Sequence, residues 1–122
     1  MTWKFDANRP IYMQLVERIK LMIVSGELPQ GSKLKSVRDM AEEAGVNPNT
    51  MQRALAELER EALVYSQRTS GRFVTENGEL IVMMRGNFAE QKVKEFIESL
   101  LQLGYKQEEL TTLIHNYLEG MK

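Results

Sequence analysis

The chain has 122 residues, 43% hydrophobic and 27% charged, with a formal net charge of −1. This composition is typical of a soluble globular protein, and the length suits one domain or one small domain with an appendage. The chain has no cysteine, which excludes disulfides and thiolate metal sites. We see neither an apolar run long enough to span a membrane nor a secretory signal, so we expect a cytoplasmic location.

The first predicted helix covers residues 10–25, with Pro10 near its start and Gly26 as its stop. Its apolar residues form a wide face, which predicts a helix that is packed into the core. These residues are Ile11, Tyr12, Leu15, Val16, Ile19, Met22 and Ile23. A turn-rich connection over residues 26–31 follows this helix.

The next two predicted helices lie close together in the sequence. Ser36 begins the second helix, with an acidic residue three positions later, as in a capping box. Gly45 ends it, in the left-handed conformation that glycine adopts easily. The third helix covers residues 47–61, with Asn47 as its N-cap and Pro48 at its first helical position. A short connection that contains glycine is typical of a helix-turn-helix.

The third predicted helix has one apolar and one polar side. Its apolar stripe consists of Met51, Ala54, Leu55, Leu58 and Ala62. Its opposite side carries Asn49, Arg53, Ala56 and Arg60, flanked by Thr50, Gln52 and Glu57. Amide, hydroxyl and guanidinium groups in a first turn can read base edges and bind phosphate. A solvated polar face is the alternative for such a helix alone, but the preceding helix favours insertion into a DNA major groove.

The hydrophobic period changes from helical to alternating after the third helix. Residues 63–67 and 72–75 are predicted as two short strands, joined by a hairpin tip over residues 68–71. Arg68 lies at the base of the tip and Arg72 just beyond it. Three helices followed by a basic hairpin indicate a winged helix-turn-helix. An ordinary solvated turn is the alternative interpretation of the hairpin.

The C-terminal part is predicted to form a long helix over residues 79–103, interrupted at Gly86, and a last helix over residues 107–119. This antiparallel pair carries more apolar surface than it can bury, so we expect a second copy to cover it in a homodimer. The candidate interface residues are Phe96, Ile97, Leu100, Ile114, Tyr117 and Leu118. The predicted fold class is therefore mainly α with a small β-hairpin. Residues 1–78 would form the winged helix-turn-helix and residues 79–122 the dimerisation tail.

Five short motifs, in this order along the chain, resemble the GntR family of transcription regulators. They are Pro10-Ile11-Tyr12-x-Gln14, Gly26-x-Leu28-x-x-Gly31-x-x-Leu34, Ser36-x-Arg38-x-Met40-Ala41, Val46-Asn47-Pro48-Asn49-Thr50 and Gly71-Arg72-Phe73-Val74. The short two-helix tail is similar to the YtrA-like subfamily. The resemblance implies a repressor without a large effector domain. Any small-molecule effector would then bind at the dimer interface or between the two parts of the chain.

The resemblance also implies which residues contact double-stranded DNA. They lie in the second helix, in the turn and start of the third helix, and in a wing that reaches the minor groove. The implied residues are Arg38, Asn47, Asn49, Thr50, Gln52, Arg68, Ser70, Gly71 and Arg72. To these we add Lys35, Ser36 and Arg53, from the basic loop, the start of the second helix and the outward side of the third.

The sequence departs from the family pattern at three positions. Lys35 replaces the usual proline, so the loop that enters the second helix is expected to be looser and more basic. Ala62 replaces the usual glycine after the third helix, which puts a left-handed cap there in doubt. Arg72 replaces the usual threonine and is expected to add a positive charge near DNA.

Other classes of protein fit this sequence less well. Nothing indicates an enzyme, a cofactor or a metal site, since no Gly-rich phosphate loop follows a strand and the one histidine, His115, is interpreted as a surface residue. The main alternative is a winged-helix module that binds a protein instead of DNA. Such a surface would favour aromatic anchors over the polar groups found here. A nonspecific architectural protein is disfavoured by the net charge and by a wing without apolar wedges.

Overall fold

The computed structural model describes residues 3–122 and confirms the predicted fold class. The elements in chain order are α1 (Ile11–Val24), α2 (Val37–Ala44), α3 (Pro48–Arg60), β1 (Val64–Gln67), β2 (Gly71–Val74), α4 (Gly78–Gln102) and α5 (Gln107–Gly120). The chain divides into two compact units, one ending at Met84 and the other covering Arg85–Lys122. This division lies within α4, slightly beyond the boundary suggested by the sequence.

The core of the first unit lies between α1, α2, α3 and the hairpin. Its largest fully buried side chains are Leu15, Ile19, Met51, Leu55, Leu58, Val64 and Val74. Each such side chain contributes about 1.5–3 kcal/mol when it leaves water. The predicted apolar stripe of α3 is confirmed up to Leu58, whereas Ala62 lies beyond the helix and is exposed.

Gln14 is a buried polar residue that fastens the N-terminal segment to α1. Its side-chain oxygen accepts a hydrogen bond from the Asp6 backbone N–H at 2.6 Å. Its amide nitrogen donates to the backbone carbonyls of Asp6 at 2.7 Å and Arg9 at 3.0 Å. These partners satisfy the buried amide, as buried polar groups require. Gln14, the last residue of the Pro10-Ile11-Tyr12-x-Gln14 motif, therefore has a structural role.

Local capping interactions form the helix-turn-helix as predicted. The Ser36 hydroxyl accepts a hydrogen bond from the Asp39 backbone N–H at 3.1 Å and caps α2. Gly45 ends α2 with a φ of 71°, in the left-handed region. The side-chain oxygen of Asn47 accepts from the Asn49 backbone N–H at 2.7 Å, and proline occupies the first position of α3. These caps orient α3 relative to α2.

The end of α3 corrects one expectation from the sequence. Ala62 adopts a φ of 64°, so the left-handed cap that its side chain put in doubt is present. The Leu63 N–H donates to the Leu58 carbonyl at 3.0 Å, and the Ala62 N–H donates to the Glu59 carbonyl at 3.0 Å. This pair of bonds is the Schellman motif, which here forms on alanine in place of glycine. The tertiary structure therefore imposes a conformation that alanine disfavours.

The wing is an antiparallel hairpin with a third short segment along its other edge. Tyr65 pairs with Phe73 and Ser66 pairs with Arg72 across the two strands. The Leu34 N–H donates to the Arg72 carbonyl at 2.9 Å. The segment before α2 therefore covers the outer edge of β2, a pairing that the turn-rich sequence did not predict.

The C-terminal elements contain one further correction. The expected interruption at Gly86 is absent, since α4 extends through this residue. A single glycine costs a helix only about 1 kcal/mol relative to alanine. In the second unit Leu110 is buried, whereas several large apolar side chains are exposed. These are Val93, Phe96, Leu101, Leu103, Tyr105, Leu113, Tyr117, Leu118 and Met121.

Candidate nucleic-acid interface

The start of α3 presents polar side chains to solvent. Asn49, Gln52 and Arg53 are exposed and Thr50 is partly buried. The oxygen of the Asn47 side chain is engaged by its capping bond, so its NH₂ group is the part left for another partner. The first two turns of α3 therefore offer amide, hydroxyl and guanidinium groups of the kind that bind base edges.

The polar side chains at the start of α2 differ in whether they have a hydrogen-bond or ion-pair partner within the described chain. Arg38 is exposed and has no hydrogen-bond or ion-pair partner within residues 3–122. Lys35, in contrast, donates to a carboxylate oxygen of Glu43 at 2.7 Å. The hydrogen bond and negative charge of Glu43 raise the pKa of Lys35. Ser36 uses its hydroxyl oxygen in the cap of α2. Arg38 is therefore the unpaired cation of this segment.

The wing tip carries another unpaired arginine. Arg68 and Ser70 are exposed, and within the described chain Arg68 has no hydrogen-bond or ion-pair partner. The Ser70 N–H donates to the Gln67 carbonyl at 3.2 Å and closes the turn. Gly71 has a φ of 103°, and a Cβ atom added there would lie 3.3 Å from Cε of Lys33. Both features favour glycine at this position.

Arg72 is bound by a carboxylate that the sequence analysis did not anticipate. Its Nε donates to Oε1 of Glu59 at 2.6 Å, and the hydroxyl of Ser66 donates to the same oxygen at 2.6 Å. The Ser66 and Arg72 hydrogen bonds lower the pKa of Glu59. The charge that Arg72 was expected to add near DNA is therefore offset within the protein. We name Ser66, Arg72 and Glu59 the wing clamp, because they connect the hairpin to α3.

Arg53 is bound by an aromatic ring instead of a carboxylate. Its guanidinium carbon lies 3.7 Å from the centroid of the Tyr12 ring on α1. The sequence analysis placed Tyr12 in the core, but its side chain is partly exposed. Helical periodicity could not separate these roles, because the same face of α1 both packs into the core and reaches Arg53.

The second half of α3 carries carboxylates that bind nearby cations. Arg60 donates to both carboxylate oxygens of Glu57, through Nε at 2.8 Å and through Nη2. The hydrogen bond from Arg60 is the largest cause that lowers the pKa of Glu57 to about 2. Glu61 forms an ion pair with Lys20 at 2.8 Å. The end of α3 is thus neutralised internally, whereas its start retains free donors.

Among residues 3–122, no group of three or more His, Cys, Asp or Glu side chains is arranged to hold a metal ion. No helix within this part of the chain is long and apolar enough to cross a membrane.

Three helices, a hairpin wing and a polar helix start define a winged helix-turn-helix DNA-binding protein. Residues 11–74, more than half of the chain, match the family described as "Bacterial regulatory proteins, gntR family". The chain therefore belongs to the GntR family and is a DNA-binding transcriptional regulator. Its relatives are named as transcriptional regulators or repressors. The alternative of a protein-interaction module receives no support from these relatives.

Two similar proteins come from Bacillus subtilis (strain 168). The uncharacterized HTH-type transcriptional regulator YhcF is 35% identical over 117 residues, covering 96% of this chain and 97% of YhcF. The HTH-type transcriptional repressor YtrA is 31% identical over 105 residues, covering 85% of this chain and 81% of YtrA. The similarity to both extends beyond the winged helix into the C-terminal helices.

Solved structures support the same assignment. A GntR family transcriptional regulator from Listeria monocytogenes has a TM-score of 0.81 and 38% identity, covering 92% of this chain and 98% of that chain. The DNA-binding domain of AraR in complex with operator ORR3 has a TM-score of 0.52 and 27% identity, covering 62% of this chain and 88% of that chain.

Proposed function

We propose that this protein is a cytoplasmic, homodimeric repressor that binds an inverted-repeat operator. The observation that carries this proposal is the selective absence of carboxylate partners around the polar start of α3. Within residues 3–122, the side chains of Arg38, Arg53 and Arg68 have no carboxylate partner, whereas Arg60 and Arg72 each have one. Because free guanidinium groups bind phosphate through several N–H donors, these three arginines are suited to contact the DNA backbone.

Side-chain chemistry indicates which residues contact base edges and which contact phosphates or the minor groove. Asn49, Thr50 and Gln52 read base edges in the major groove, because amides and hydroxyls match the donors and acceptors exposed there. The phosphate and minor-groove contacts come from the loop before α2, from α2 itself and from the wing. The full proposed contact set is Lys35, Ser36, Arg38, Asn47, Asn49, Thr50, Gln52, Arg53, Arg68, Ser70, Gly71 and Arg72. Within this set, Arg72 acts mainly by holding the wing to α3.

The proposed dimer rests on the apolar surface of the second unit. Phe96 is 47% exposed, Tyr117 73% and Leu118 55%. Ile97, Leu100 and Ile114 are only partly buried. A second copy would remove these side chains from water at about 25 cal/mol per Å² of apolar surface. One copy of α3 contacts only a few base pairs, so we expect the operator of a two-fold dimer to contain two half-sites.

Repression is proposed by analogy with YtrA, which is named a repressor. Any small-molecule effector is proposed to bind at the dimer interface. An effector bound there would change the spacing between the two copies of α3 in the dimer.

Selection of operators from random DNA by the full chain tests the proposal. We expect recovered sequences to be inverted repeats whose half-site centres are about 10 base pairs, or a multiple of that distance, apart. Sedimentation of the free protein and of the complex should give a dimer in both cases. Recovered sequences without two-fold symmetry, or a monomer bound to a single half-site, would contradict it.

A further inference from the structure

The cation–π pair of Tyr12 and Arg53 lies at the boundary between the core and the proposed DNA surface. Tyr12 is the second residue of α1 and Arg53 lies on the exposed side of α3. The guanidinium carbon lies over the Tyr12 ring, 3.7 Å from its centroid, which is well within the range of a cation–π contact. Arg53 also lies four residues after Asn49, so the two side chains share one face of α3.

The cation–π contact leaves the donors of Arg53 available. A carboxylate partner binds a guanidinium through the N–H groups at its edge, as Glu57 does with Arg60. The Tyr12 ring instead contacts the cation through its π face, and within residues 3–122 the side-chain N–H groups of Arg53 have no hydrogen-bond partner. Arg53 is therefore restrained without losing the hydrogen bonds that a phosphate would accept.

We propose that Tyr12 is a positioning residue for Arg53, which holds the guanidinium ready for an operator phosphate. This inference rests on the proposed contact between Arg53 and DNA. A free arginine loses much of its rotamer freedom when it binds, which weakens binding. The Tyr12 ring restricts the rotamers of Arg53 before DNA binds, so less rotamer freedom is lost on binding. Tyr12 thus contributes to affinity without itself touching the nucleic acid.

The aromatic ring of Tyr12, and not its hydroxyl, should be responsible for this contribution to operator affinity. Tyr12→Phe retains the ring face and is the matched control, so its operator affinity should stay within twofold of wild type. Tyr12→Leu and Tyr12→Met remove the ring and should weaken operator binding by about 2- to 30-fold, the range over which cation–π contacts act. If Tyr12→Phe binds as weakly as Tyr12→Leu, the hydroxyl is responsible and the proposal is wrong.

Salt dependence separates positioning from direct contact. Arg53→Ala should lower the salt slope of operator binding by about 0.9 for each half-site, because a phosphate contact is lost. Tyr12→Leu should leave that slope unchanged, because Arg53 still reaches the phosphate in the complex. A reduced slope for Tyr12→Leu together with an unchanged slope for Arg53→Ala would overturn the assignment.

A double-mutant cycle on the full-length protein is the deciding experiment. Tyr12→Leu should have no further effect on operator affinity once Arg53 is alanine, because Tyr12 acts through Arg53. Equal effects of Tyr12→Leu with and without Arg53 would overturn the proposal, as would the unfolding of both ring-free variants, which would assign the ring to the fold. Failure of the proposed function itself has a different signature, because wild-type protein would then select no operator.

Discussion

Replacement of Glu59 by glutamine should loosen the wing, because Glu59 is the shared acceptor of the wing clamp. Its carboxylate receives hydrogen bonds from Ser66 and Arg72 at 2.6 Å each, and the side chains of Arg72 and Glu59 are only 23% and 32% exposed. A hydrogen bond to a charged group contributes about 1.5–3 kcal/mol to stability. Since glutamine keeps an oxygen that can accept one bond, we expect Glu59→Gln to cost about 1–2 kcal/mol.

The stability cost of Glu59→Gln should decrease as the pH falls into the acid range. The Ser66 hydroxyl and Arg72 lower the pKa of Glu59 in the folded protein. A lowered folded-state pKa gives stability that is present above the unfolded pKa and lost as pH falls through the folded value. The gap in unfolding free energy between wild type and Glu59→Gln should therefore be complete at pH 7. It should narrow as pH falls below the ordinary glutamate range of about 4.3.

Urea unfolding of the two proteins across this pH range measures the gap directly. Glu42→Gln is the matched control, because Glu42 is exposed on α2 and its side chain has no hydrogen-bond or ion-pair partner in the described chain. This control should change stability by less than about 0.5 kcal/mol. A Glu59→Gln protein as stable as wild type at pH 7, or a gap that persists unchanged into acid, would refute the clamp as a stabilising contact.

Four further changes test separate parts of the structure. Gln52→Ala should weaken operator binding by about 1–3 kcal/mol and relax preference at one or two bases; equal loss on random DNA in a shift assay would instead make Gln52 a positioning contact. Arg68→Ala should lower the salt slope by about 0.9 per half-site and weaken all sequences similarly; an unchanged slope would remove the wing tip from the DNA surface. Ala62→Gly should raise the urea unfolding free energy by about 0.5–1 kcal/mol, because it relieves the left-handed conformation; a less stable protein would contradict this reasoning. Phe96→Asp should dissociate the proposed dimer in sedimentation, whereas Asn116→Asp, at an exposed polar position of α5, should not; a persistent Phe96→Asp dimer would place the interface elsewhere.

Local chemistry made the helix-turn-helix predictable from the sequence. Ser36, Gly45, Asn47 and Pro48 act within a few residues of their own position, so their roles follow from residue type and spacing. The apolar periodicity of α1 and α3 is equally local. Leu15, Val16, Ile19 and Ile23 of the α1 stripe are buried, as is the α3 stripe up to Leu58, whereas Ile11, Tyr12 and Met22 are only partly buried. The fold class therefore followed from signals that need no knowledge of distant contacts.

The unpredicted features all join residues that are far apart in the chain or override a local preference. Tyr12 meets Arg53 across two helices, and Arg72 meets Glu59 between the wing and α3. Residue types alone cannot choose which cation each carboxylate will bind. Ala62 is the opposite case, because its local preference was known but the surrounding structure prevails.

The distribution of ion pairs explains how a chain of net charge −1 can bind DNA. At physiological ionic strength a charge acts over about 8 Å, so a phosphate responds to nearby groups and not to the total. Glu43, Glu57 and Glu59 bind Lys35, Arg60 and Arg72, which reduces the local charge at these positions. Among the described residues, no hydrogen-bond or ion-pair partner occupies the guanidinium donors of Arg38, Arg53 and Arg68. Carboxylates placed beside selected cations would then limit nonspecific attraction while leaving Arg38, Arg53 and Arg68 available to the operator. Removing one such carboxylate through Glu57→Gln should raise affinity for random DNA more than affinity for the operator, and a shift assay that shows the reverse order would contradict this account of specificity.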